Sequence, residues 1–400
     1  MKTVRPANLR LGIITGDKSA YGSDGGLYIN HAFGRLLEAL RTQVPQTRLC
    51  IPVLPGVLPN LTHRLNFPDD SIVPMPPLAT TISSQRYRWS THRVIRAFAR
   101  ENDALLVRMP FQLPHCLLGL GKPKVVHVVG NPLAVVRAST DYRGMLGFLA
   151  RRFGSHMERV CRRLVHERQT HAVTHGEEMW NLLGCQQGRV VVSSCLWQDE
   201  IVPRTDFELH QPPKLLFVGY LRPEKGVATL LEAFANLRRN RTATLTLVGG
   251  SDRSTNAGRQ IQQQIESHPF ASDIRTAGMV DFGPDLFELY RTHDLCILPS
   301  LSEGTPRTLV EARAFGCPVV STRVGGIPAS VRDGEDGLLV DPGQPAQLAK
   351  AIERILDDDT LRRRLILAGR ERFGHHTVEQ FASDIVEEIE AVAHSATVRN

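Results

Sequence analysis

A chain of 400 residues, 42% hydrophobic and 22% charged, is too long for one ordinary domain and suits two, each able to bury its own core. It holds no low-complexity tract and no apolar run of the roughly 20 residues that span a bilayer, and residues 1–10 carry no apolar stretch after their charges, so a cytoplasmic globular protein is expected. The net charge of +7 is uneven, with 26 Lys and Arg against 14 Asp and Glu over residues 1–205 and 22 against 27 over residues 206–400, which suggests different partners for the two halves.

In chain order, short runs rich in Val, Ile and Leu predict strands over 9–15, 47–53, 103–109, 123–129, 170–174 and 189–194, with helices between most of them. The run GSDGGLYINHAFGRLLEAL, 22–40, reads as a glycine turn at Gly25 and Gly26 leading into a helix. The proline-dense stretch 55–78 reads as a long surface loop. Residues 143–168 hold seven arginines against two glutamates, with Met145, Leu149, Phe153, Met157, Val160 and Leu164 near helical spacing. Such a basic amphipathic helix is either a solvated face over a packed stripe or an attachment to an anionic membrane surface.

The polar stretch 206–214, with Pro212 and Pro213, reads as the linker between domains 1–205 and 206–375. Further strands are predicted over 214–221, 243–249, 274–278, 294–300, 318–322 and 337–340, each beside a helix. Alternation of this kind gives α/β domains with doubly wound parallel sheets, and the last helix, 376–393, is expected to pack back on the first domain. Ligands of such sheets bind beyond the carboxyl ends of the strands, so chemistry is expected in a cleft between the halves.

The most informative segment is 298–342. Thr305 can cap a helix whose first residue is Pro306, so that Glu303 and Gly304 sit just before an anion-attracting helix end and Glu311 lies within the helix. A plain capped helix with an exposed glutamate is the alternative. In FVGYLRPEKG, 217–226, a turn at Gly219 and the ammonium of Lys225 follow a strand directly, where a cation can neutralise a diphosphate.

Together these segments resemble the donor-binding half of glycosyltransferase family 4, the group 1 retaining enzymes of the GT-B fold, whose two Rossmann-like domains face each other across a cleft. The family's two glutamates separated by seven residues are matched by Glu303 and Glu311. Its following run is matched by Glu311-Ala312, Ala314, Gly316, Pro318-Val319-Val320 and Gly325-Gly326. The resemblance implies that Lys225 contacts the donor diphosphate, that Glu311 binds the ribose hydroxyls and that Glu303 binds the transferred sugar. Gly304 and Thr305 would hold phosphate and sugar through the backbone, Val280 would pass near the nucleobase, and Gly25 and Gly26 would approach donor and acceptor. Where the family often has an arginine directly after the glycine of the turn, Tyr220 follows Gly219, and the nearest arginine is Arg222. In many relatives a histidine stands at the place of Val129; His127, two residues earlier on the same face of its strand, is the candidate to line the reacting centre, a half-buried core histidine being the alternative.

The implied activity is transfer of a sugar from a nucleoside diphosphate-sugar to an acceptor hydroxyl, without a metal or other cofactor and with the anomeric configuration retained. The run LLVRMP followed by KPKVVHVVGNP resembles members that build cell-surface polysaccharides, which implies a lipid-linked or glycan acceptor and work on the cytoplasmic face of a membrane. No GxGxxG opens a helix, and neither GxxxxGK[ST] nor HExxH occurs; Asp357–Asp359 reads as turn chemistry at a helix end. Seven cysteines without a CxxC pair read as buried free thiols. Basic charge without an aromatic stacking platform argues against nucleic acid. The rival readings are a nucleotide-sugar epimerase or phosphorylase of similar fold and a non-enzymatic binding subunit.

Overall fold

The apolar runs become strands buried on both faces, as parallel sheets require. The computed structural model describes residues 9–56, 58, 61–80, 84–130, 133, 144–252, 254–304, 306–373 and 376–397. Two units form, Met1–Val191 with Val378–Asn400, and Val192–Thr377.

The first unit contains β1 (Leu11–Ile14), β2 (Ser19–Tyr21), β3 (Leu27–Ile29), β4 (Thr47–Leu54), β5 (His63–Arg64), β6 (Ile72–Met75), β7 (Ala104–Met109), β8 (Lys124–Val128), β9 (Thr170–His175) and β10 (Gly188–Val191). Its parallel strands lie in the order β6-β4-β1-β7-β8-β9-β10. The strand order therefore reverses at β1, as in a doubly wound sheet. Helices α1 (His31–Gln43), α2 (Arg88–Glu101), α3 (Gly144–Val165) and α4 (Glu177–Leu183) connect strands of this unit.

Residues 55–78 are not all loop: β5 and β6 lie in them, and β6 pairs with β4 in the register Leu49 to Ile72. Pro74 disguises β6 because it supplies no N–H, a defect tolerated where a strand has one partner only. Gly25 and Gly26 do not lead straight into a helix. They close the antiparallel hairpin of β2 and β3, where Gly22 N–H donates to Gly26 O at 2.9 Å and Gly25 takes a φ of +73°. Helix α1 starts later, capped by the Asn30 side chain, which accepts from Ala32 N–H at 3.1 Å.

The C-terminal helix, Val378–Thr397, belongs to the first unit and packs on α1 and on β7 to β10. Its Glu388 accepts from His171 Nδ1 at 2.6 Å and from Arg189 Nε at 2.8 Å, and Arg189 also pairs with Asp384 and Glu387 at 2.9 Å. Burial alone would raise the Glu388 carboxyl, but these bonds hold it below its ordinary value.

The second unit contains β11 (Lys214–Val218), β12 (Thr244–Val248), β13 (Ile274–Gly278), β14 (Leu295–Leu298), β15 (Val319–Thr322) and β16 (Leu338–Val340). They pair in the all-parallel order β13-β12-β11-β14-β15-β16. Around them lie α5 (Val227–Arg238), α6 (Asn256–Glu266), α7 (Pro284–Thr292), α8 (Arg307–Ala314), α9 (Ile327–Ser330), α10 (Pro345–Asp357) and α11 (Asp359–Phe373). The break between units falls at 191/192, so the polar run 206–214 is part of the second unit rather than a free linker. Buried Asp294 anchors it, accepting from His210 Nδ1 at 2.9 Å and from Lys214 N–H at 2.7 Å.

Candidate functional site

In a doubly wound sheet the crevice for a ligand opens at the carboxyl ends of the two strands where the order reverses, here β11 and β14. The loop after β11 carries Gly219, Arg222 and Lys225; the loop after β14 carries Ser300, Glu303 and Gly304. Backbone contact locks the two loops together, since Leu301 N–H donates to Glu224 O at 2.8 Å. Gly226 is required at this junction: its φ is +69°, and a Cβ there would lie 1.9 Å from Pro299 O.

Lys225 Nζ forms an ion pair with Glu303 Oε1, which also accepts from Ser300 Oγ at 2.9 Å. The Glu303 side chain is only 9% exposed, so its charge is held by a specific cation rather than by water. Behind it, Gly326 N–H donates to Gly304 O at 2.8 Å, and Gly325 has a φ of +53° with no room for a Cβ against Glu303 O. The paired glycines thus let a neighbouring loop brace the glutamate turn.

Helix α8 starts at Arg307, with Pro306 as its N-cap residue, one position later than expected; Thr305 lies outside the described residues. Thr308 Oγ1 in the first turn donates to Val218 O at 3.3 Å, tying this helix end to the carboxyl end of β11. Farther along, Arg313 fixes the helix to the loop that follows α9. Its guanidinium bonds to Ser330 O at 2.7 Å and pairs with Asp336 at 3.2 Å, while Arg372 of α11 pairs with the same carboxylate at 2.8 Å. Arg313, Ser330 and Asp336 are buried and Arg372 is partly so, and burial pulls the Arg313 guanidinium down to about 10.

Glu311 is a buried carboxylate on α8, not an exposed one. Its Oε2 accepts from Tyr290 Oη of α7 at 2.8 Å. Burial raises the Glu311 carboxyl above its ordinary value; the nearby Arg307 and the tyrosine bond oppose that rise. A helix end, an ammonium and two carboxylates shielded from bulk water can hold an anion on one side and hydroxyl groups on the other.

Arg222 is exposed, lies 4.8 Å over the Tyr220 ring and sits beside Glu224. Val280 is partly buried against the core of the second unit, just past β13. In the first unit His127 of β8 is fully buried, deeper than the half-buried core histidine expected as the alternative to a cleft-lining one. Its Nε2 lies 2.9 Å from His175 Nε2, and both rings pack edge-on against Phe381 of the C-terminal helix. Burial, with His175 and Arg108 nearby, pushes the His127 imidazole well below its ordinary range, so it stays neutral. Asp357–Asp359 are occupied in pairing: Asp357 with Arg241 at 2.8 Å, Asp358 with Leu361 N–H at 2.8 Å, and Asp359 with Arg363 at 2.7 Å. Among the described residues no cluster of three or more His, Cys, Asp or Glu could hold a metal ion. All seven cysteines are free, and all but Cys185 are buried.

Sequence reasoning missed Tyr290, Ser300, His175 and the Arg313–Asp336–Arg372 cluster. Ser300, Arg313 and Asp336 stood inside the segment 298–342 without a residue pattern that marked them; Tyr290, His175 and Arg372 come from helices and strands outside it.

Residues 212–358 match the family described as Glycosyl transferases group 1. They form a group 1 glycosyl transferase domain. A D-inositol 3-phosphate glycosyltransferase of Acidothermus cellulolyticus is 40% identical over 153 residues, which cover 36% of this chain; the chain spans only 33% of that relative's length. Two solved structures match nearly the whole chain. Sucrose-phosphate synthase from Thermosynechococcus elongatus has a TM-score of 0.69 at 19% identity, covering 98% of this chain and 100% of its own. Anabaena Alr3699/HepE in complex with UDP and glucose has a TM-score of 0.63 at 16% identity, covering 96% and 100%. The fold, two Rossmann-like α/β units, is that of the GT-B glycosyltransferases.

Proposed function

We propose that the protein is a retaining glycosyltransferase that moves a sugar from a nucleoside diphosphate to an acceptor hydroxyl in the assembly of cell-surface or extracellular glycans. The observation that carries this reading is the Lys225–Glu303 pair at the switch point of the second sheet, beside the start of α8. The donor diphosphate takes over Lys225, which frees Glu303 to accept from hydroxyls of the transferred sugar. Glu311 receives the two ribose hydroxyls. As the bond from the anomeric carbon to the diphosphate oxygen breaks, the acceptor oxygen bonds to that carbon on the same face, and its proton passes to the departing diphosphate. Lys225 and the α8 end stabilise the charge that leaves, a preorganised field that acts most strongly where water is excluded. HepE, solved with UDP and glucose, and the family membership of residues 212–358 support a nucleotide-sugar donor.

A panel of UDP-, GDP- and ADP-sugars tests the reading by thermal shift and slow donor hydrolysis. One base class should raise the melting temperature and be hydrolysed slowly with its configuration kept. Epimerised donor, a strict need for inorganic phosphate, or stabilisation without any turnover would each replace it with one of the rival readings.

A lipid-linked acceptor at an anionic membrane surface completes the proposal. The first half of α3 supports it: Met145, Phe148 and Leu149 are exposed beside exposed Arg151 and Arg152, whereas Met157, Val160 and Leu164 farther along are buried. No helix among the described residues is long and apolar enough to cross a membrane. Changing Arg151 and Arg152 together to Gln should release the folded protein from phosphatidylserine vesicles, as should salt. A parent protein that fails to sediment with such vesicles at low salt would turn the reading towards an acceptor free in solution.

A further inference from the structure

Tyr290 is one of the largest side chains in the second unit with no exposed surface at all, and it comes from a helix outside the glutamate motif. A buried tyrosine must place its hydroxyl against a partner. Here the partner is Glu311 Oε2, at 2.8 Å. The ring is fixed on its other side by Phe315, stacked 3° from parallel at 6.2 Å, and Phe315 stacks in turn on Phe287 at 4.7 Å. The hydroxyl therefore has little freedom to move, and it occupies one of the two oxygens of the carboxylate.

We propose that Tyr290 is a positioning residue for the donor: its hydroxyl holds Glu311 in the one orientation that presents Oε1 to the vicinal hydroxyls of a ribose. The inference rests on the donor reading above and names a further residue of that site. A carboxylate needs its remaining rotation stopped before it can accept two hydroxyls at once, and a donor on one oxygen stops it without using the other. The same bond, together with Arg307, opposes the rise that burial gives the Glu311 carboxyl. Around Glu311 the groups that bear on its charge are Arg307 on its own helix, Tyr290 on α7 and Cys296 on β14. Burial raises Glu311, and loss of the tyrosine hydroxyl would raise it further.

The test compares a ribonucleotide with its deoxy form. Calorimetry is run on the parent and on Tyr290→Phe with whichever of UDP, GDP and ADP binds the parent most tightly, and with the 2′-deoxy form of the same diphosphate. The variant should lose about tenfold in affinity for the ribonucleotide, the scale of a charge-assisted hydrogen bond. It should lose little for the deoxy form, which offers Glu311 no vicinal pair. The preference for ribose should also fade at a higher pH in the variant than in the parent, because a protonated Glu311 accepts poorly; taking the ratio cancels titration of the phosphate. A merely structural tyrosine would weaken both nucleotides alike, and that result overturns the proposal. So does an unchanged ribose preference in the variant while Glu311→Gln loses it, an outcome that leaves the donor reading intact. If none of the three diphosphates binds the parent, the donor reading falls and takes this one with it. Tyr290→Leu, which also lacks a hydroxyl, serves if the phenylalanine variant does not fold; failure of both to fold marks the bond as structural and overturns the assignment.

Discussion

At the carboxyl edge of the second unit's sheet the charged groups already satisfy one another: Lys225 with Glu303, Glu303 with Ser300, and Glu311 with Tyr290. At the same edge of the first unit, buried polar atoms stand without partners among the described residues, namely Arg108 Nε, Gln112 Oε1 and His127 Nδ1. Arg108 does pair with Asp17 at 2.8 Å through another nitrogen. On the proposed donor reading the difference marks the second unit as the one that holds the fixed chemistry. A donor with a constant diphosphate and ribose suits a rigid, prepaired site, and that unit carries the family match. The first unit instead carries at its edge the hairpin of β2 and β3 and the buried His127 beside His175.

The comparison breaks most severely if the second unit's rigidity is removed. Arg313→Ala leaves Asp336 buried beside Arg372 alone, and should cost about 3 to 5 kcal/mol of stability, read by urea unfolding. An effect below about 1 kcal/mol would show that α8 is not held by this cluster. Lys225→Ala should lower turnover about a hundredfold while donor affinity falls less, because the diphosphate gains charge as its bond breaks. Steady-state rates beside calorimetry separate the two quantities; an equal loss in both would place Lys225 in ground-state binding.

In the first unit the expected effects are smaller and depend on pH. His127 has a depressed folded value, so its contribution to stability is complete above the unfolded value of about 6.5 and declines as pH falls towards the folded one. The groups that face it are His175 of β9, Arg108 of β7 with its partner Asp17, and Phe381 of the C-terminal helix. Thermal melts should show the parent losing stability below about pH 6.5 and His127→Phe losing less over the same range. Equal slopes would remove the histidine from the account. The smallest effect is expected from Arg189→Gln, which weakens the hold on the C-terminal helix by about 1 kcal/mol, since the arginine side chain is 31% exposed and its pairs are partly screened. Hydrogen exchange in Val378–Thr397 would report it.

Most of this architecture was legible because parallel strands buried on both faces read as plain apolar runs: LLFV, LTLV and CILP each stood out and each became a strand or its end. What failed has local causes. Pro74 hid β6, and the short β2 and β3 gave too few residues for alternation to show beside three glycines. The linker at 206–214 looked free because its anchor, Asp294, lies far along the chain. In the candidate site, Glu303 and Glu311 were readable because their loop and helix start are contiguous in sequence, and Lys225 because it follows a strand and a glycine turn directly. Tyr290 was not, because a tyrosine on a helix declares its partner only after α7 and α8 have packed.

The central claim is that Glu311 binds the ribose of a nucleotide-sugar donor. Titration calorimetry of the parent and Glu311→Gln with the nucleotide-sugar that the panel selects tests it most directly. A charge-assisted bond contributes about 1.5 to 3 kcal/mol, so the variant should bind at least about tenfold more weakly while melting as a folded protein. A folded variant with the parent's affinity would contradict the donor site.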